Sequence, residues 1–264
     1  MANSVKPASN FSTEDLAKVE FKEISLSVIV ADDVLSFLAL RNSQPIAFEL
    51  FNTENKKLAE IISSSQFHKK DFKEVTLIFD NKYFSVLPPD LASEKEKELI
   101  SKTFFGKNNL ITFISKNVNL DFIYAVENHT IELLNQIWPE AKSLHYSEIF
   151  YSNMEAKNKA DEEVFLDIRK DYFLAAIFKN NKLLLLNKYD FSGRNDFGFF
   201  SLGIINHHAL DSKKLKLFLS GNIVENSPLQ LLLEKYIANI QLLKFDNIAF
   251  EFVSMQHIIN FLQR

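Results

Sequence analysis

The chain has no cysteine in its 264 residues, and only five glycines and six prolines. The missing cysteine rules out disulfides and thiol chemistry. The scarcity of glycine bears on function, because turns that wrap phosphate groups use residues without a Cβ to bring backbone N–H groups against the anion. No apolar run reaches the roughly 18 residues that would cross a bilayer, so no membrane insertion is expected. The opening Met1-Ala2-Asn3-Ser4-Val5-Lys6-Pro7 lacks the apolar stretch of a secretory signal, so a cytoplasmic location is expected. Neither sign of charge dominates: 30 basic and 34 acidic residues give a net charge of -4. That leaves no basic field to capture a phosphate backbone, so nucleic acid is not an expected partner. The local cluster Lys69, Lys70 and Lys73 reads as a solvated face.

What the sequence does have is apolar residues, 47% of the total, with 26 phenylalanines set inside strand and helix patterns, where they serve as core. A chain of this length and composition can bury one large core or two domain-sized ones, and length alone favours two.

The apolar pattern is written twice. Segments 24–51 and 162–189 align without a gap. In each, a strand alternates on one face (Leu26, Val28, Val30; then Val164, Leu166, Ile168) and an Asp-containing turn follows. A second strand is apolar on both faces, and a basic-Asn turn leads to a third. This predicts two three-stranded antiparallel meanders whose middle strands are covered on both sides.

After the first meander the pattern continues with a helix (Leu58, Ile61, Ile62), strand Val75–Phe79 and a charged helix (Leu99, Ile100, Phe104). Strand Leu120–Val126 and a helix (Ile131, Leu134, Trp138) complete it. After the second come a helix (Phe197, Phe200, Ile204), strand Leu215–Leu219, a helix over Pro228–Ile237, strand Ile240–Phe245 and a last helix (Met255, Ile258, Ile259, Leu262). Ser227-Pro228-Leu229-Gln230 supplies an N-cap, a first-turn proline and a capping-box glutamine. Both halves thus read βββαβαβα, the first with insertions at Tyr83–Pro89 and Leu110–Ser115. The expected organisation is a polar N-terminal tail over 1–20, a first subdomain over 21–152, a linker over 153–163 and a second subdomain over 164–264.

Two βββαβαβα halves in tandem resemble the actin-like ATPase superfamily, whose two domains are ribonuclease H-like and whose members include actin, Hsp70 chaperones and sugar kinases. The stretches Leu26-Ser27-Val28-Ile29-Val30 with Asp33-Val34-Leu35-Ser36-Phe37, Tyr83-Phe84-Ser85-Val86-Leu87-Pro88, and the second meander are similar to a Bacteroidetes family assigned this fold, one with no established activity. The resemblance covers residues 20–264 and implies an α/β protein with a cleft between its domains. In active members that cleft holds Mg-ATP on two Asp/Gly/Thr-rich turns and a Gly-rich adenosine motif.

Against that pattern the first turn, Ile29-Val30-Ala31-Asp32-Asp33-Val34, has no glycine. The second, Leu166-Asp167-Ile168-Arg169-Lys170-Asp171, keeps Asp167 at the leading acidic position implied by the resemblance, where it is a candidate metal ligand. It places Arg169 and Lys170 where glycines are expected. Leu219-Ser220-Gly221-Asn222 resembles the adenosine-side Leu-x-Gly-Gly, with Asn222 replacing a glycine, and is more simply ordinary turn chemistry after a strand. Asp80, following Val75–Phe79, is the candidate catalytic base by analogy with kinases, and otherwise a hairpin turn with Asn81 and Lys82. His207 and His208 are adjacent, so on a helix they point about 100° apart and need a third ligand such as Asp211 to hold a metal; capping of a helix end is the simpler role. His129 reads as a helix-boundary residue.

The function expected from these observations is a non-catalytic or degenerate actin-like protein with no cofactor. It acts as an interaction or regulatory scaffold through a protein partner or self-association. The alternative is an ATP-dependent kinase or ATPase with Mg-ATP in the interdomain cleft, using Asp167, Arg169, Lys170, Ser220, Gly221 and Asn222.

Overall fold

Two antiparallel meanders at a constant offset of 138 residues (Ile24 to Glu162) organise the structure. The computed structural model describes residues 5–54, 57–89, 91–106, 109–117, 119–157, 161–244 and 255–263. The chain divides into one unit over 1–149 with 249–264 and a second over 150–248.

The chain up to the second meander runs β1 (Ser9–Ser12), β2 (Ile24–Ala31), β3 (Val34–Arg41), β4 (Gln44–Asn52), α1 (Leu58–Ser64), β5 (Glu74–Asp80), β6 (Phe84–Leu87), α2 (Glu94–Phe105), β7 (Leu110–Lys116), β8 (Asp121–Glu127), α3 (Asn128–Ile137), β9 (Lys142–His145) and α4 (Tyr146–Lys157). It continues with β10 (Glu162–Ile168), β11 (Tyr172–Lys179), β12 (Lys182–Asp190), α5 (Arg194–His207), β13 (Lys216–Gly221), α6 (Pro228–Leu233), β14 (Ile240–Leu242) and α7 (Gln256–Leu262).

The first unit holds a six-stranded sheet in the order β1-β4-β3-β2-β5-β9 and a three-stranded sheet β6-β8-β7; the second holds one sheet, β12-β11-β10-β13-β14. The meanders match in detail. Asn42 and Ser43 turn β3 into β4 with φ of 50° and 61°, and Asn180 and Asn181 turn β11 into β12 with 52° and 60°. Two consecutive positive φ values are what a tight hairpin needs to match strand twist. Each hairpin also carries a register shift at the same place, between Ala39 and Leu40 and between Ile177 and Phe178. As expected, the middle strands bury both faces: every residue from Leu35 to Leu40 and from Tyr172 to Phe178 is buried.

Aromatic packing fills both units. Phe37 meets Phe51, Phe67 and Trp138 at 6.0, 6.1 and 6.4 Å in the first, and in the second Phe173 meets Tyr189 and Phe197 at 5.4 and 5.1 Å. Burial of each such ring stabilises by about 1.5–3 kcal/mol.

Several expectations need correction. The fifth strand of the first main sheet is β9, parallel to β5, and not the strand expected at Leu120–Val126; that segment is β8, paired with β6 and β7 in the small sheet. The insertion is therefore larger than Tyr83–Pro89 and Leu110–Ser115. Lys97 of α2 fixes it internally by a buried ion pair to Asp121 at 2.5 Å, a hydrogen bond that raises the lysine pKa. Asp80-Asn81-Lys82 is not a hairpin turn, since it passes from β5 in one sheet to β6 in the other.

The N-terminal stretch expected as a polar tail carries β1, antiparallel to β4. An edge strand needs only its backbone hydrogen bonds, so Ser9-Asn10-Phe11-Ser12 pairs without an apolar pattern. The stretch expected as a linker is helical as far as Lys157, with Asn153 and Met154 fully buried; 158–160 lie outside the described residues. The last helix, α7, groups with the first unit and not with the second half. At α6 the Ser227 hydroxyl caps Gln230 N as expected, while the Gln230 side chain reaches Asn226 N instead of its own cap. That helix stops at Leu233 and β14 at Leu242, short of the expected Ile237 and Phe245; Phe245 lies outside the described residues.

Candidate functional site

Parallel strands β10 and β13 end side by side, with Asp167 in register with Ser220 and Ile168 with Gly221. Side chains 53 positions apart in sequence thus meet at the carboxyl edge of the second sheet, the edge at which open α/β sheets bind ligands. Asp167 is fully buried. Ser220 Oγ donates to its Oδ1 at 2.7 Å, and the Arg169 guanidinium lies 3.0 Å from its Oδ2. Burying a carboxylate away from water is costly unless such partners meet it.

Gly221 has φ +82°, and a Cβ there would stand 2.2 Å from Ile168 O and 3.0 Å from Asp167 Oδ1. The glycine is demanded by close approach of the two strand ends. Asn222 N donates to Ile168 O at 2.7 Å, which ties those ends together. In the preceding turn Arg169 N donates to Tyr172 O at 2.8 Å, and Lys170 and Asp171 are exposed.

Asp167, Arg169, Ser220, Gly221 and Asn222 are therefore brought together, with Lys170 in the same turn. Asp80 ends β5 in the other unit, opposite Ala31. The residues present do not fit Mg-ATP as phosphate-turn residues would. Both Asp167 oxygens are engaged, one by a hydroxyl and one by a guanidinium that a cation would have to displace. The amides of Arg169 and Asn222 are spent on the turn itself, and Arg169, Lys170 and Asp171 all carry side chains where close backbone approach needs none.

The histidines fall elsewhere. His207 ends α5 and His208 follows it, ring centroids 5.1 Å apart and nearly perpendicular. Burial, then the neighbouring His207, lowers the His208 pKa. Asp211 Oδ1 accepts from Lys213 N at 3.0 Å, in the turn that follows. Among the described residues no group of three His, Asp or Glu side chains is placed to hold a metal. His129 lies in the first turn of α3, 3.5 Å from Glu127. Of the lysine cluster, Lys70 sits over the Phe21 ring at 5.0 Å.

Sequence reasoning missed His145, at the carboxyl end of β9. It is 1% exposed, with Nε2 3.1 Å from Asn81 O and Nδ1 2.7 Å from Ser147 Oγ and 3.1 Å from Ser147 N. The neutral ring with its proton on Nε2 satisfies these contacts. Phe84 and Tyr124 flank it at 4.9 and 5.3 Å, and burial pushes its pKa down to about 3. Nearby Tyr124 and Glu148 are both shifted up, chiefly by burial. With both nitrogens occupied and no path to solvent, His145 latches the Asn81 crossover to the main sheet. The four-residue β9 left no period in the sequence from which to find it.

A family model described as Protein of unknown function (DUF3822) matches residues 12–240. No curated protein matches. A Bacteroides thetaiotaomicron protein of actin-like ATPase fold and unknown function is similar in structure, with 21% identity, a TM-score of 0.80, and coverage of 92% of this chain and 98% of that one. The PilM-PilN type IV pilus biogenesis complex contains a chain with 11% identity and a TM-score of 0.51, covering 94% and 99%. The fold is that of the actin-like ATPases.

Proposed function

We propose that this chain, which belongs to the family described as Protein of unknown function (DUF3822), is a degenerate actin-like protein that acts as a cytoplasmic interaction scaffold without nucleotide chemistry. The observation that carries this reading is the Arg169 guanidinium seated on the buried Asp167 carboxylate. An internal cation occupies the acid that would otherwise organise Mg²⁺. The absence of glycine from both strand turns adds support, as does the use of this fold in a pilus biogenesis complex. The cytoplasmic location agrees with the lack of any described helix long and apolar enough to cross a membrane. The repeated meander with its matching turn and register shift supports an internal duplication as the origin of the two units.

One observation favours a second reading, an ATP-dependent kinase or ATPase. The positions of Asp167 and Ser220 in the second sheet are taken by Ile29 and Ile78 in the first, so the fold itself does not require a polar pair there. Turnover assays with ATP separate the two. The scaffold reading expects no hydrolysis above that of Asp167→Ala, together with a stoichiometric partner or self-association of the purified chain. Turnover abolished by Asp167→Ala would overturn it.

A further inference from the structure

One position separates the two meanders at their outer edge. Glu49 of β4 stands opposite Phe37, and its counterpart at the 138-residue offset, Asn187 of β12, stands opposite Ala175. Asn187 is exposed, on a strand whose one neighbour among the described residues is β11. Glu49 is 5% exposed. The first unit differs by β1, in which Asn10 pairs with Glu49 and so points to the same face of the sheet. On that face Glu49 has Phe37 on its inner side and Asn10 on its outer side. At the end of α1, Ser65 Oγ lies 2.5 Å from Glu49 Oε2 and Gln66 N donates to Oε1 at 3.5 Å. None of these four groups carries a charge. The turn after α1 adds the titratable His68, whose N donates to Ser65 O at 3.1 Å, and the exposed Lys69 and Lys70.

We propose that residues 5–14 are a strap whose closure over the β4 edge is coupled to a proton on Glu49: it holds while that acid is neutral and loosens as the acid ionises. The strap is tied at both ends. Val5 N donates to Ser64 Oγ at 3.1 Å, next to the Ser65 that meets Glu49, and Ala8 N donates to Leu50 O at 2.7 Å. Thr13 donates to Ile46 O from its N at 2.8 Å and from its hydroxyl at 3.1 Å, and Arg41 Nη1 donates to both Glu14 oxygens at 2.8 Å. None of residues 5–14 is itself buried, and the second unit carries the same meander with no such strand on it, so the strap can lift without opening a core. Lifting it bares the outward carbonyls of Ile46 and Leu50 and lets water reach Glu49. In the closed state burial raises the Glu49 pKa, against the pull of Ser65 and Gln66 N. Closure therefore gains fully from this group below the ordinary carboxylate range, and the gain is lost as pH rises from there through the raised value.

The strap works independently of the state of the Asp167 site. Hydrogen exchange of the full chain, read by mass spectrometry over residues 5–14 and corrected for the pH dependence of intrinsic exchange, tests it. Opening is expected to grow with pH between about pH 5 and 8, by up to about tenfold per unit and in excess of any change at β11, and to level off above the Glu49 titration. Glu49→Gln, neutral at every pH and still able to meet Ser65, removes that dependence and keeps the strap closed, whereas His68→Gln leaves the dependence in place. Thr13→Pro deletes the two Thr13 bonds to Ile46 O and touches nothing of Glu49. It opens the strap at every pH, and it abolishes the difference in the pH slope of urea unfolding that Glu49→Gln makes in the parent chain. Opening that ignores pH in the parent, or a dependence that survives Glu49→Gln, overturns the proposal. So does a Glu49 contribution to the unfolding slope that is unchanged by Thr13→Pro, since the strap then does not seal the acid.

Discussion

The two units carry one meander and treat it in opposite ways. At the carboxyl edge, the first unit has Ile29 beside Ile78 where the second has Asp167 beside Ser220. One parent pattern thus supports either an apolar strand end or a buried polar cluster. The first unit is a control built into the molecule, and it teaches that Asp167, Arg169 and Ser220 are not needed to hold the sheet together. Their arrangement has to be explained by what the site does or once did.

The comparison breaks first at Gly221. Gly221→Ala should cost about 3 kcal/mol or more in urea unfolding, through a positive φ and a 2.2 Å approach to Ile168 O. Gly106→Ala, at φ +56° with nothing within 4 Å, should cost only about 1 kcal/mol. Equal costs would mean that the two strand ends are not locked as described.

A comparable effect is expected when the ion pair is broken on one side only. Asp167→Ala should destabilise by about 3 kcal/mol, because it leaves a half-buried guanidinium without its acid. Writing the first unit's residues into the second, with Asp167→Ile, Arg169→Ala and Ser220→Ile together, should restore stability to within about 1 kcal/mol of the parent chain. If the triple substitution is as damaging as the single one, the cluster is structural after all.

The first unit has a buried ionisable group of its own in His145, and its effect is sensed as a pH dependence. Its folded pKa of about 3 lies below that of the unfolded chain, so between about pH 6.5 and 3 the unfolded state binds a proton that the native state refuses. Stability from this group is present above that window and is lost as pH falls, by about 1.4 kcal/mol at pH 5.5. Burial shifts Glu49 and Glu148 upward, and they act in the opposite sense, losing stability as pH rises above the ordinary carboxylate range. The difference in slope between the parent chain and His145→Asn isolates the histidine. Trp138, the single tryptophan, reports it from the same unit. The smallest effects belong to the helix caps. Ser93→Ala at α2 and Ser227→Ala at α6 should each cost about 1 kcal/mol, alike in the two units because the local hydrogen bond is alike.

The meanders were legible because alternation has a period of two and Asn-containing turns punctuate it, so six strands could be read to within a residue or two. Alternation says that a segment is a strand and not which sheet it joins, and for that reason it misplaces Leu120–Val126. The true fifth strand, Lys142–His145, is four residues long with one large aliphatic side chain, too short for a period. Ser9–Ser12 has one apolar residue in four, too few to show an alternation, and its place is set by antiparallel pairing with β4. At the site, the residues of the two strand ends were legible because their turns sit at fixed places in the repeat. The Asp167–Arg169 ion pair was not drawn from the sequence, although its signal was there: residues two apart on a strand share a face.

The central claim is that Arg169 takes the place of a metal on Asp167, and it is tested most directly by a thermal melt of the purified chain with and without millimolar Mg-ATP, with ADP and magnesium alone as controls. The account predicts no change in midpoint. A rise of roughly 2 to 4 °C that requires Mg²⁺ and disappears in Asp167→Ala would contradict it, since ligand at about a hundred times its Kd stabilises the native state by about 2.7 kcal/mol.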